Sequence, residues 1–327
     1  MTPAPRAPAG SLDLAGLVER ALELDRHCVA KLVSLFQDRR PAAAERRGEA
    51  LALLDEAGRR SAAVVGITGA PGSGKSSLID RLARELLDRD PERALAVLAV
   101  DPSSHLSGGA LLGDRTRLQH ARPGDRLFFR SEASATELGG LSPTSFQVCR
   151  LLVRLYDGVL VETVGIGQSE ADVRHLADRV HLVMAPLGGD EVQFLKAGIV
   201  EIPDVFVVNK CDEPSADASY GQLRASLGLA RPFGEQPPIF RTSARTGEGV
   251  AALATEVEAT LAGSGGDFSR REPHFLERWV REEWGRVGIA HLRRELGGAA
   301  GFLAARGGFD AAQAAFGASV VAGLAAA

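Results

Sequence analysis

The sequence AVVGITGAPGSGKSS, residues 63–77, joins a short apolar run to a glycine-rich segment that contains Gly-Lys-Ser. The run Val64–Thr68 is typical of a buried strand, and the residues from Ser76 to Leu87 predict a helix. Between them, Gly69–Ser76 match the pattern G-x-x-x-x-G-K-[ST]. Glycines let this backbone turn tightly, so that its N–H groups and the positive end of the helix surround a phosphate. The stretch therefore predicts a strand–loop–helix unit that binds nucleotide phosphates.

Every residue of this loop is a candidate nucleotide contact. Lys75 is expected to reach the β- and γ-phosphates as a catalytic cation, and the hydroxyl of Ser76 to ligate Mg²⁺. The alternative is a glycine-rich turn with an incidental Lys-Ser pair, which the flanking strand and helix disfavour. The candidate residues are Gly69, Ala70, Pro71, Gly72, Ser73, Gly74, Lys75, Ser76 and Ser77.

Six further apolar runs alternate with amphipathic segments. They are Leu95–Asp101, Leu127–Ser131, Val159–Glu162, Val180–Ala185, Val205–Asn209 and Ile239–Thr242. Most are almost continuously apolar, as expected for parallel strands buried on both faces of a sheet. The alternation predicts the α/β class, with a doubly wound, mostly parallel sheet in a P-loop domain over residues 61–263.

Helical segments flank this domain. Residues 1–60 predict an N-terminal arm with two helices, the first capped by Ser11 and the second opened by Pro41. Residues 264–327 predict a C-terminal arm and tail, in which Ser269 has capping-box spacing to an acidic residue. The residues expected on the apolar face of this arm are Leu276, Val280, Trp284 and Val287, with Trp279 beside them. The helical signal is weak in residues 298–327.

Composition excludes several classes of protein. The 327 residues are 45% hydrophobic and carry a net charge of −4, which gives no sign of a basic nucleic-acid surface. The three cysteines are far apart, so a reducing compartment is expected rather than a disulfide framework or a zinc site. No signal peptide is evident, and Gly317–Ala327 is too short to span a bilayer. We therefore expect a cytoplasmic protein without a nucleic-acid or membrane partner.

Three acidic residues are candidates for the metal site and for catalysis. Asp101 and Glu162 end two of the apolar runs, and Asp114 lies in a loop beside Gly113. A P-loop nucleotide hydrolase needs carboxylates to hold the waters of Mg²⁺ and to position the attacking water. Each acid alone is equally compatible with a helix cap or a turn. With the phosphate loop present, they predict a magnesium site together with Ser76.

The run that begins at Glu162 resembles a nucleotide-sensing switch. The N–H of Gly165 is placed to detect a γ-phosphate, but the next residue, Ile166, cannot hydrogen-bond a water. We therefore expect slow intrinsic turnover that a partner raises. Arg117, near Arg115, is a candidate for neutralising charge in the transition state, although both also fit solvated loop arginines.

A second motif, Asn209-Lys210-Cys211-Asp212, follows the sixth of the seven apolar runs and predicts guanine recognition. A carboxylate accepts hydrogen bonds from N1–H and the exocyclic amine of guanine, a donor pair that adenine lacks. Backbone N–H groups after the last run are expected to support the base. The candidate base-site residues are Asn209, Lys210, Asp212, Ser243 and Ala244. The motif alone also fits a polar turn, but its position after a P-loop and a strand favours binding of GTP and GDP.

In this order, the motifs resemble those of the methylmalonyl-CoA mutase-associated GTPases, the MeaB/ArgK/MMAA family, which are similar to metallochaperone-type P-loop GTPases. The resemblance extends from about residue 12 to residue 262. It rests on the segments Gly69–Ser76, Asp101–Ser104, Gly108–Gly109, Gly113–Arg117, Glu162–Glu170 and Asn209–Asp212.

The resemblance implies a GTPase that docks on an adenosylcobalamin-dependent acyl-CoA mutase. It implies that GTP hydrolysis gates cofactor loading and protects or reactivates the mutase, and that adenosylcobalamin is handled through this partner. It assigns Asp101, Asp114 and Glu162 to the metal site and Arg117 to the switch. It also implies a homodimer formed through the C-terminal arm; alternatively, the two tryptophans pack on the chain's own core.

Other functions remain open at this stage. A metal-insertion GTPase would need a Cys or His cluster to carry the ion, and the sequence has none. A kinase of a transport-system protein would need a base that activates the acceptor. A scaffold without catalysis fits poorly with the intact Lys75, Ser76 and Asp212.

Overall fold

The computed structural model describes residues 13–58, 61–101, 126–133, 141–163, 169–186, 203–230, 235–263, 265 and 267–326. These residues pack as two compact units. The helical unit is drawn from Met1–Arg60, Ser142–Leu155 and Asp267–Ala327, and the sheet unit from Ser61–Leu141 and Tyr156–Gly266.

The sheet unit is built on parallel strands. In chain order they are β1 (Ala63–Thr68), β2 (Leu95–Asp101), β3 (Leu127–Ala133), β4 (Gly158–Glu162), β5 (Arg179–Met184), β6 (Val205–Val208) and β7 (Ile239–Arg241). Their spatial order is β3-β2-β4-β1-β5-β6-β7, and each neighbouring pair is parallel. Every predicted run forms one of these strands, so the predicted α/β fold is confirmed.

The described residues also contain eleven α-helices. They are α1 (Leu14–Leu22), α2 (Arg26–Gln37), α3 (Pro41–Glu56), α4 (Lys75–Arg89), α5 (Pro143–Leu155), α6 (Ser169–Leu176), α7 (Ala216–Ala230), α8 (Val250–Leu261), α9 (Glu272–Arg294), α10 (Gly298–Arg306) and α11 (Phe309–Ala326). Helices α4, α6, α7 and α8 belong to the sheet unit. Helix α5 packs with the terminal helices, so the grouping differs from the three consecutive domains expected from the sequence.

One apolar layer holds α4 and α8 against the sheet. Leu78 and Leu82 of α4 share a buried cluster with Val65 of β1, Leu160 of β4 and Leu253 of α8. Full burial of each such side chain stabilises the fold by about 1.5–3 kcal/mol. Because the strands are parallel, their carboxyl ends meet at one edge of the sheet, and ligand-binding loops gather there.

The N-terminal segment forms three helices instead of the two expected. Leu24 has φ 61, and the side chain of Asp25 caps the first backbone N–H groups of α2. A left-handed residue followed by a cap ends one helix and starts the next, although the apolar spacing continues across the break. The cap of α1 is Asp13 rather than Ser11. Pro41 does begin α3, as predicted.

The start of the C-terminal arm also differs from the prediction. Asp267 caps a short 3-10 turn, Phe268–Arg270, by accepting from the N–H of Ser269 at 3.0 Å. Helix α9 then begins after Arg271, whose side chain makes no capping hydrogen bond. The predicted capping box at Ser269 is therefore wrong, because the acidic residue two positions earlier makes the cap.

Helix α9 is interrupted at Gly285, whose φ of 58 and ψ of −146 are outside the helical region. Nη2 of Arg293 lies 3.3 Å from Oε2 of Glu277, whereas a straight helix would separate residues this far apart by about 24 Å. The chain therefore folds back at Gly285. Val280 is fully buried but Val287 is 57% exposed, so the predicted apolar face is divided between core and surface.

Both tryptophans pack inside the helical unit. The rings of Trp279 and Trp284 meet Phe316 of α11 edge-on, with centroid distances of 5.7 and 6.1 Å. Phe316 itself is fully buried. The weakly helical C-terminal residues thus supply, in α11, a surface against which the partly buried tryptophans pack.

A buried ionic cluster joins α3, α5 and α11 within the helical unit. Asp310 is 7% exposed and accepts hydrogen bonds from Nε of Arg47 at 2.8 Å and Nη1 of Arg150 at 2.6 Å. Nε2 of Gln147 donates to Asp310 and to Oε1 of Gln313, both at 3.0 Å. Burial opposes ionisation of Asp310, but the guanidinium groups of Arg150 and Arg47 outweigh it and hold the pKa of this carboxyl below its ordinary value.

Candidate nucleotide site

The phosphate loop connects β1 to α4 at the carboxyl edge of the sheet, as predicted. Gly69 has φ 143, and a Cβ there would lie 1.9 Å from the carbonyl oxygen of Val183. Gly74 has φ 84, and its Cβ would lie 2.5 Å from Nδ2 of Asn209. Only glycine fits both positions, because each combines a left-handed backbone with no space for a side chain.

Lys75 lies within this loop. Its Nζ donates to the carbonyl oxygens of Gly69 at 2.6 Å and Ala70 at 3.0 Å, and the residue is only 7% exposed. Among the described residues, the buried hydroxyl of Ser73 finds no hydrogen-bond partner. A buried ammonium group, an orphaned hydroxyl and the N-terminus of α4 together form a cradle suited to an anionic phosphate.

Ser76 and Glu162 meet where β1 and β4 end. The hydroxyl of Ser76 donates to Oε1 of Glu162 at 2.6 Å, and Glu162 is 5% exposed. The pairing of β1 with β4 sets this position, because Ile67 lies opposite Glu162 in the register. Hydroxyl and carboxylate oxygens are the hard ligands that Mg²⁺ prefers, so this pair fits a magnesium site.

Asn209 links the phosphate loop to the loop after β7. Its Nδ2 donates to the carbonyl oxygen of Ser73 at 2.9 Å. Its Oδ1 accepts from the backbone N–H of Ala244 and the hydroxyl of Thr242, both at 3.2 Å. One buried amide therefore fixes the spacing between the phosphate-binding and base-binding segments of the site.

Asp212 stands at the far end of the same site, with 15% of its side chain exposed. Its Oδ1 accepts from the hydroxyl of Ser243 at 2.5 Å, and its Oδ2 from Nε and Nη2 of Arg245 at 2.9 and 2.5 Å. The Ser243 hydrogen bond and then the Arg245 guanidinium hold the pKa of this carboxyl below its ordinary value. Asp212 is therefore an anion at neutral pH, as guanine recognition requires.

Part of each motif lines one open cleft of about 920 Å³, which is within the range of small-molecule sites. Its lining includes Gly74, Ser76, Asn209, Asp212 and Ala244. Lys210, also in the lining, has φ 57, an uncommon conformation for a residue with a side chain. The two motifs identified from the sequence are therefore brought together around one cleft.

Several predicted site residues lie outside the described part of the chain. They are Asp114, Arg115, Arg117, Gly165 and Ile166. The backbone of Asp101 is described as the last residue of β2, but its side chain is not. The roles of these residues remain predictions.

The sequence analysis did not identify Arg245 as part of the site. Its place in the sequence, directly after the predicted Ser243 and Ala244, indicated its loop but not its partner. Its contact with Asp212 joins two loops that are 33 positions apart, which no local pattern reveals.

Comparison with known proteins decides the family. The family model described as methylmalonyl Co-A mutase-associated GTPase MeaB matches residues 29–285. The chain belongs to the MeaB family. The resemblance drawn from the motifs is thus confirmed, and the MeaB family and its P-loop fold support GTP hydrolysis.

The names of individual relatives agree with the assignment of this chain to the MeaB family. A protein of Pyrococcus horikoshii, named as a GTPase, is 41% identical over 247 residues, which cover 74% of this chain and 76% of the relative. A GTPase-named protein of Caulobacter vibrioides is 35% identical over 83% of this chain and 84% of its own length. A methylmalonic aciduria type A homolog, mitochondrial, of Caenorhabditis briggsae is 35% identical over 66% of this chain and 54% of its own length.

A solved structure supports the fold of this MeaB-family chain. The crystal structure of LAO/AO transport system kinase covers 89% of each chain with a TM-score of 0.62 and 24% identity. Identity this low shows the fold alone. No described helix is both long and apolar enough to cross a membrane.

Proposed function

We propose that this MeaB-family GTPase is a chaperone of an adenosylcobalamin-dependent acyl-CoA mutase. In this role GTP hydrolysis gates loading of the mutase cofactor and protects or reactivates the mutase, which itself handles the adenosylcobalamin. The family match over residues 29–285 is the observation that carries the proposal, because the family is described by its association with methylmalonyl-CoA mutase.

The cleft supports guanine nucleotides as the substrate. The buried ammonium group of Lys75 and the N-terminus of α4 would hold the phosphates. The carboxylate of Asp212 would accept hydrogen bonds from the N–H donors of guanine. The segment Ser243–Ala244, held beside Asn209 by the hydrogen bond from the N–H of Ala244, would support the ring. Together these groups would hold both ends of a nucleotide.

For the metal, we propose Mg²⁺ held by Ser76 and Glu162, with Asp101 and Asp114 as further acids. The first two oxygen donors lie 2.6 Å apart at the edge of the cleft. Bound Mg²⁺ would neutralise charge that develops on the β- and γ-phosphates. Lys75 and Arg117 would add positive charge from the protein itself.

Turnover by the chain alone is proposed to be slow, and the protein is proposed to act as a homodimer. Ile166 occupies the position after the switch glycine and offers no hydrogen bond to an attacking water. A partner that supplies or positions a polar group would therefore raise the rate. The proposed dimer uses the C-terminal arm, where Val287 remains exposed.

Hydrolysis assays test the chaperone proposal. Phosphate release from GTP is measured for the purified chain alone and with each adenosylcobalamin-dependent acyl-CoA mutase of the same organism. We expect slow release alone and a rate that is higher by about 10-fold or more with the true partner, because a partner group lowers the barrier. Lys75→Ala, with its folding checked by circular dichroism, should abolish release in both conditions.

Two results would contradict the proposal. The chaperone role fails if no mutase changes the rate of hydrolysis. Transfer of the γ-phosphate to a protein, rather than to water, would identify a kinase instead.

A further inference from the structure

The carboxylate of Asp212 already accepts three hydrogen bonds in this structure. Ser243 holds Oδ1 at 2.5 Å, and Arg245 holds Oδ2 through Nε at 2.9 Å and Nη2 at 2.5 Å. Guanine presents two N–H donors, N1–H and the exocyclic amine, to this same carboxylate. The two N–H donors of the Arg245 guanidinium imitate that pair, so guanine and Arg245 compete for one acceptor.

The two contacts to Asp212 differ in how easily they are released. The hydroxyl of Ser243 also accepts from the backbone N–H of Thr246 at 3.1 Å, which fixes it inside its own loop. The side chain of Arg245 is 78% exposed and is anchored to the described residues only by this ion pair. The guanidinium is therefore the more easily displaced of the two groups.

We propose that Arg245 is a built-in competitor of guanine, which covers the base-reading carboxylate of Asp212 and so lowers the affinity of the protein for guanine nucleotides. This inference rests on the proposed role of Asp212 in base recognition. Release of Arg245 leaves the loop in place, because the backbone bonds from Gly247 to Ser243 at 2.8 Å and from Ser243 to Glu248 at 2.9 Å do not involve its side chain.

The expected effect is modest and depends on salt. Exposed ion pairs are weak, so removing the competitor should tighten binding by about two- to five-fold. Added salt screens the pair in the wild type, so the advantage of a variant without the arginine should shrink as salt rises.

The first experiment measures GDP affinity by calorimetry for the wild type, Arg245→Ala and Arg174→Ala. Arg174 pairs with Asp204, is about half exposed and is not among the residues that line the cleft, so its removal controls for the loss of one positive charge. We expect tighter GDP binding only for Arg245→Ala, with unchanged thermal unfolding of the free protein.

The second experiment repeats the comparison in an Asp212→Asn background, with xanthosine diphosphate as the probe because an asparagine side chain can donate to its extra carbonyl. Without the carboxylate there is no ion pair, so Arg245→Ala should leave the affinity unchanged. An equal gain in both backgrounds would overturn the proposal, as would unchanged or weaker GDP binding by Arg245→Ala in the native background. A wild-type protein that binds no guanine nucleotide would instead contradict the proposed function itself.

Discussion

At the scale of single residues, the proposed selectivity for guanine depends on one carboxylate, that of Asp212. Asp212→Asn replaces an acceptor by a donor, so one of the two hydrogen bonds to guanine is lost and becomes a repulsive contact. Hydrogen bonds to charged groups contribute about 1.5–3 kcal/mol each, so GDP affinity should fall by about 10- to 100-fold or more. Calorimetry with GDP and ADP measures this, and the variant should no longer prefer GDP.

A neighbouring carboxylate provides the control for this substitution. Asp217 also lies in an ion pair, with Arg241, but its side chain is 80% exposed. Asp217→Asn should therefore leave the affinity for GDP unchanged. Retained guanine preference in the Asp212 variant would contradict the assignment of this residue.

The residues of the site were predictable where their signal is contiguous. Gly69–Ser76 and Asn209–Asp212 each carry their chemistry in one short segment, since a tight turn and its side chains come from neighbouring positions. The partners of Asp212 were not predictable in the same way. The contact with Arg245 depends on two loops that follow different strands, and only the assembled sheet brings them together.

At the scale of helices and strands, the buried cluster around Asp310 dominates the helical unit. Asp310→Asn removes the negative charge that compensates Arg47 and Arg150, both of which are almost fully buried. An uncompensated buried charge typically costs about 3–5 kcal/mol. The lowered pKa of Asp310 means that this contribution is present above the ordinary carboxyl pKa and is lost as pH falls through the lowered value. The effect should therefore be fully present at pH 7.

Urea unfolding followed by tryptophan fluorescence measures this loss, because both tryptophans of the chain lie in the helical unit. Asp55→Asn is the matched control. Asp55 pairs with Arg154 at 2.6 Å, but 59% of its side chain is exposed, so its loss should cost about 1 kcal/mol or less. Equal destabilisation by the two variants would show that the cluster is no more important than a surface ion pair.

Strands were easier to predict than helix boundaries. Most strands are nearly continuous apolar runs, because burial on both faces leaves few polar positions. The N-terminal helices were merged because apolar spacing continues through the break at Leu24. The helix breaks here because Leu24 has a positive φ and Asp25 caps the next helix. Both effects are local and leave the apolar spacing unchanged.

At the scale of the whole molecule, the sequence predicts the order of helices and strands along the chain but not which of them pack together in one unit. Helix α5 lies between β3 and β4 in the chain, yet it packs with helices from both termini. The pair of Arg47 and Asp310 joins positions 263 residues apart. Such contacts arise from tertiary packing. The sequence analysis therefore assigned α5 to the P-loop domain, whereas in the structure it packs with the terminal helices.

The proposed homodimer needs a surface that the chain does not cover itself. The helical unit buries Leu276 and Val280, and both tryptophans pack against its Phe316. Val287 on α9, in contrast, is 57% exposed. If α9 forms the dimer contact, Val287→Glu places two like charges near a symmetric interface, where repulsion and desolvation oppose association. Sedimentation should then show the 34.4 kDa monomer in place of twice that mass.

Leu229→Glu, at an 83% exposed apolar position on α7 in the sheet unit, should leave the dimer intact. A monomeric wild type would refute the dimer, and dissociation by both variants would refute its placement on α9.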